Sequence, residues 1–86
     1  MTTIAEIRAV LADAVNIVTD SQGALAHVIA EKERARSMLL ATLDGSQQDD
    51  VRAAVAALTA VIDLLHDAAG QTRNVIDMTE QVGARL

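Results

Sequence analysis

The stretch Leu39-Leu40-Ala41-Thr42-Leu43-Asp44-Gly45-Ser46-Gln47-Gln48-Asp49-Asp50-Val51 decides the fold. Asp44-Gly45-Ser46 sits near the middle of an 86-residue chain, between two segments whose apolar residues recur at helical spacing. Gly45 stands where a helix C-terminus favours a left-handed residue. Ser46 followed by Asp49 has the spacing of an N-terminal cap, and Asp49 and Asp50 fall where the positive end of a helix dipole favours carboxylates. Thr3 and Glu6 repeat the capping arrangement at the start of the first segment.

Working outward, the first segment carries a heptad stripe of Ile4, Ile7, Leu11, Ala14, Val18, Ser21, Leu25, Val28, Lys32, Ala35 and Leu39. The second carries Val51, Val55, Leu58, Ile62, Leu65, Ala69, Thr72, Ile76, Thr79, Gly83 and Leu86. Positions equidistant from Gly45 match: Ile4 with Leu86, Leu11 with Thr79, Leu39 with Val51. This mirror predicts an all-α fold, a single helical-hairpin domain over 1–86 with a helix over about 4–43, a turn at 44–46 and a helix over about 47–85. Each helix would run near 60 Å at about 1.5 Å per residue. A glycine inside a helix costs about 1 kcal/mol relative to alanine, so a bend or frayed turn is expected near Gly23. A straight helix would also bring Ile29, Leu40 and Leu43 onto the inner face in place of Val28, Ala35 and Leu39.

Composition narrows the function classes. There is no Cys, Pro, Phe, Tyr or Trp. Disulfides, thiolate metal sites and thiol nucleophiles are thereby excluded, nothing interrupts long helices from within, and no aromatic platform exists for stacking bases. The net charge of -5 repels phosphate backbones, so no nucleic-acid partner is expected. The run Ala53–Ile62 is about half of what a bilayer crossing needs, and no basic, apolar leader opens the chain. The pattern is that of a soluble, cytoplasmic chain with no membrane insertion.

The residues beside the main stripe carry the functional expectation. Val10, Ile17, Ala24, Glu31 and Met38 in the first helix, with Ala54, Val61, Ala68, Val75 and Val82 in the second, would line one broad side of the hairpin, and all but Glu31 are apolar. Two helices cannot cover that side themselves. A second hairpin laid on it completes a four-helix bundle, so Val10, Ile17, Ala24, Met38, Ala54, Val61, Ala68, Val75 and Val82 are the expected self-association interface. A homodimer is the simplest form; a heterodimer with a related helical hairpin is the rival. Glu31 would either pair with a partner's basic residue or lie at an exposed edge, and Lys32 would run its stem along the core with its ammonium in water. The other side holds Arg8, Arg36, Arg52 and Arg73, read as a candidate face for an acidic partner.

Chemistry is otherwise sparse. His27 and His66 point in different directions, and no helical metal-ligand spacing occurs. Asp63 and Asp67 lie one turn apart on the outside, and Ser21, Ser37 and Ser46 have no His-Asp companions. The sequence therefore predicts no catalytic residue, cofactor or metal.

Thr3-Ile4-Ala5-Glu6-Ile7-Arg8, Gln22-Gly23-Ala24-Leu25-Ala26, Asp44-Gly45-Ser46-Gln47 through Val51, and Ala84-Arg85-Leu86 carry a family resemblance. With its alanine-rich stripes and central glycine turn, the chain resembles the small helical-hairpin proteins of type VII secretion, the Trp-x-Gly family. It is more similar still to short actinobacterial hairpin proteins and to the N-terminal hairpin domains of actinobacterial deaminase toxins. It departs in lacking the turn Trp and the Tyr-containing export signal. The resemblance implies a non-enzymatic interaction module, a partner or adaptor of a type VII-like secretion or toxin system, co-secreted with a secreted effector if exported. The alternative is a cytoplasmic structural protein that only forms a helical bundle.

Overall fold

Thr3 starts the first helix as expected: in an extended conformation (φ -85°, ψ 163°), it accepts the Glu6 N–H on its hydroxyl at 3.1 Å. That bond satisfies one of the donors a helix start leaves unpaired. From there the computed structural model, which describes residues 2–43 and 48–86, forms two helices. Helix α1 spans Ile4–Leu40 and α2 spans Gln48–Arg85. They pack side by side as an elongated antiparallel hairpin of 68 × 17 × 15 Å. Its radius of gyration, 19.6 Å, compares with about 12 Å for a spherical domain of this length.

The last carbonyls of α1 are closed locally. Thr42 and Leu43 donate their N–H groups to Leu39 and Leu40, and the Gln48 amide reaches back to the Leu43 carbonyl at 3.0 Å. Asp44, Gly45 and Ser46, on which the expected turn and second cap depend, lie outside the described residues. Helix α1 passes through Gly23 without the expected frayed turn. The packing of a 37-residue helix along its whole length outweighs the roughly 1 kcal/mol a helical glycine costs.

The seam between the helices is where sequence and structure part. In α2 the inward positions follow the expected stripe from Val51 to Gly83, with Ile62 only 2 % exposed. In α1 the heptad spacing survives on a shifted set, Leu11, Val15, Val18, Gln22, Leu25, Ile29, Lys32, Arg36 and Leu39, continued past the helix end by Leu43, with the expected Ala14 still half-buried beside Val15. Ser21, Val28 and Ala35, expected inside, are exposed, while Ile29 is the most buried residue of α1 at 7 %. Helix α1 is thus turned by about 50°, half the angular step of one residue. The turn brings the longer side chains Val15, Ile29 and the Arg36 stem into the seam.

The pairing level shifts as well. Leu11 reaches Gly83, its Cδ1 3.9 Å from where a Cβ on that glycine would stand; the expected partner was Thr79, one turn away. Arg36 meets Thr59, Gln22 meets Ala69 and Glu33 meets His66, each displaced in the same direction. This level opposes a large residue with none at Leu11–Gly83, which suits close helix packing. It also buries part of Gln22, whose amide donates to the Ala69 carbonyl at 3.1 Å while its Oε1 has no partner. An unpaired buried acceptor of this kind costs about 1–3 kcal/mol.

Two outcomes are expected in chemical denaturation. Gly23→Ala and Gly70→Ala meet open space and ordinary helical backbone, so each should raise stability by about 0.4–1 kcal/mol. Ile62→Ala, which hollows the seam, should lower it by about 2–4 kcal/mol.

Candidate functional site: an uncovered apolar flank

Each seam residue of α1 is preceded in sequence by a residue of a second stripe: Val10 before Leu11, Ala14 before Val15, Ile17 before Val18, and so on through Met38 before Leu39. The same holds in α2, where Ala54, Ala57, Val61, Leu64, Ala68, Val75, Met78 and Val82 each precede a seam residue. One residue is about 100° of turn. Because both helices are right-handed and run antiparallel, stepping one residue back swings both stripes to the same broad side of the rod. The side is therefore continuous across the two helices.

It is also open. Val10, Ile17, Met38, Leu64 and Met78 are 63–67 % exposed, and Val61, Val75 and Val82 are exposed too. Ala24, Ala54 and Ala68 complete the set read from the sequence, and all nine of those positions are solvent-facing. Leu64, Met78 and Ala57 were missed, although their spacing of three residues after Val61, Val75 and Ala54 marks them. The turn of α1 adds Ile7 and Val28, which the sequence had assigned to the seam. Polar interruptions are Ser21, whose hydroxyl bonds back to the Ile17 carbonyl, Gln71, and Glu31, which approaches Arg34 of its own helix at 4.0 Å. Lys32, one residue on, is half-buried.

The accessible surface of the chain is 6263 Å², whereas a compact monomer of 9.1 kDa exposes about 4,900 Å². The difference, about 1,400 Å², exceeds the roughly 800 Å² each partner contributes to a standard interface. On α2 an 18-residue window has a mean hydropathy of 1.4 and is 6 % buried, long and apolar enough by composition to cross a membrane.

The opposite side differs in kind. Arg36 is drawn into the seam, where its guanidinium donates to the Thr59 hydroxyl at 3.3 Å. Arg52 and Arg73 are exposed but interleaved with Asp63, Asp77 and Glu80, so this side carries mixed charge. Arg8 stands near the open end of the rod, where it lines a groove of about 300 Å³ together with Leu11, Ala12, Val15, Asn16, Thr79, Glu80 and Gly83. His66 faces Glu33 across the helices at 3.6 Å, with both groups substantially exposed, so the pair contributes little. Ser37, Thr72 and Thr79 bond back to carbonyls of their own helices. Among the described residues no group of three metal-ligating side chains converges.

In comparison with known proteins, the chain matches no family model, no curated relative and no solved structure.

The two arginines separate a seam residue from a surface one. Arg36→Ala should cost about 1 kcal/mol in thermal or urea unfolding through the lost Thr59 bond and stem packing. Arg52→Ala, on the open surface, should stay within about 0.5 kcal/mol of the parent.

Proposed function

We propose that this chain is a non-enzymatic protein–protein interaction module whose working surface is the uncovered flank, acting as partner or adaptor of a type VII-like secretion or toxin system. The observation that carries the reading is the continuous apolar side built by both helices. Exposed apolar patches beyond a few hundred Å² mark sites of association, and the length of this one suits helices laid parallel to the rod. Hydroxyls engaged with their own helices and the mixed-charge opposite side favour a binding role over a catalytic one. The link to secretion rests on the sequence resemblance.

Two measurements test the proposal. Val61→Glu with Val75→Glu places two carboxylates on the flank, where burial without a partner is costly. Association should weaken by at least about tenfold, about 1.4 kcal/mol, in sedimentation equilibrium. Purification of the chain with its neighbours from the native host should recover a larger effector or an export ATPase. Recovery only as a self-assembled bundle would favour the structural alternative.

A further inference from the structure

The flank is graded from end to end. Its open-end half carries Ile7, Val10, Ile17, Val75, Met78 and Val82 with one alanine, Ala14, while the half near the turn is slimmer on average, with alanine at 24, 35, 54, 57 and 68 beside Val28, Met38, Val61 and Leu64. From this grading we infer that the flank is self-complementary, and that its occupant is a second copy of this chain laid on it with its turn at the opposite end. The inference rests on the interaction-module reading and adds what that reading leaves open, the identity and direction of the partner.

Two face-to-face copies can be related by a two-fold axis in only two ways, along the rod or across it. An axis across the rod places α1 on α1 and α2 on α2 of the other copy, in opposite directions. Both flank stripes are symmetric under that operation. In α1 the exchange point falls between Ser21 and Ala24, so Val10 meets Ala35 and Ile17 meets Val28 of the second copy. In α2 it falls between Ala68 and Gln71, so Val82 meets Ala57 and Val75 meets Leu64. Val10 and Val82 thus meet alanines, while Ile7 meets Met38 and Met78 meets Val61, so the bulkier open-end half of each copy lies on the slimmer half of the other. Interiors fill best when large and small residues alternate across facing positions.

An axis along the rod instead stacks each level on its own level. Val10 then faces Val82 and Ile17 faces Val75, thickening the open end, while near the turn Ala35 faces Ala57 and Ala24 faces Ala68, beside Met38 on Ala54 and Val28 on Leu64. Alanine opposite alanine leaves voids whose cost grows with volume. Glu31 gives the same answer. Along the rod, both copies of this carboxylate share one layer. Across it they stand 17 residues apart along the helix, about 25 Å, each opposite the small Ala14, with room to turn outward to water. The surface each chain holds beyond a compact monomer, about 1,400 Å² over all sides of the rod, exceeds the roughly 800 Å² that a standard contact takes from each partner. Net charge of -5 per chain disfavours an anionic lipid surface as occupant.

The absence of cysteine permits a direct test with single-thiol chains. Val10→Cys mixed with Ala35→Cys and oxidised should give disulfide-linked dimers at a yield at least about tenfold above either variant alone, since bridging needs Cα atoms within about 7 Å. Val10→Cys mixed with Val82→Cys should link no better than the single variants. The reverse preference overturns the orientation. A parent chain that sediments at one-chain mass overturns the second-copy assignment. If that solitary chain is unaffected in melting and solubility by Val61→Glu with Val75→Glu, the interaction-module reading falls as well. If instead it holds a different helical protein or neutral phosphatidylcholine vesicles through the flank, and the charged variant loses them, only the second-copy assignment falls.

Discussion

A pair of helices has one seam, and each of these helices carries two apolar stripes. That mismatch governs the rest of the structure. The seam consumes one stripe of α1 and one of α2, burying Ile29 and Ile62. The second stripes, set one residue back on both helices, are brought to a common side by the antiparallel arrangement. Hydrocarbon left facing water over the length of a 68 Å rod favours association at roughly 25 cal/mol for each Å² covered. With no aromatic side chain, a thicker local core was never available, and only close approach of Ala, Val, Leu and Ile surfaces remains.

The seam itself is a compromise. Gln22, Lys32 and Arg36 occupy positions in a stripe that apolar residues would fill more cheaply. Arg36 resolves the conflict through its bond to Thr59, and Gln22 only halfway, leaving its Oε1 unpaired. Polar groups in a helical interface are tolerated where they fix register. Here the Gln22 amide binds a backbone carbonyl at one level of α2, which distinguishes that level from the neighbouring turns of a repetitive Ala/Val/Leu surface. The rotation of α1 that places Gln22 inside also releases Ile7 and Val28 to the flank, so seam geometry and flank composition are set together.

Much of this was legible in the sequence, for a physical reason. Helical periodicity, the Thr3 cap and the absence of proline act locally and survive into the fold, as does the inward stripe of α2 from Val51 to Gly83, which is bounded on one side by the polar residues Arg52, Asp63, His66, Arg73 and Glu80. Helix α1 offered two inward stripes. Its residues at Ile4, Ile7 and Val28 and those at Val15, Ile29 and Leu43 form competing stripes that share Leu11, Val18, Leu25 and Leu39. Which of them packs depends on the size of what α2 presents, and that is tertiary information. The same ambiguity placed Arg36 on a free basic surface, where the structure puts it against Thr59. Leu64 and Met78 escaped notice because only residues flanking the seam were counted, although the flank extends one position further around α2.

The central claim is that the flank requires a cover. Its most direct measurement is the mass of the purified chain by sedimentation equilibrium over a concentration series from about 1 to 100 μM, the range in which dissociation constants correspond to roughly 5–8 kcal/mol of association. The account predicts a mass of two chains, near 18 kDa from twice the 9.1 kDa of one, across most of that range. A constant one-chain mass, with no other molecule bound, would contradict it.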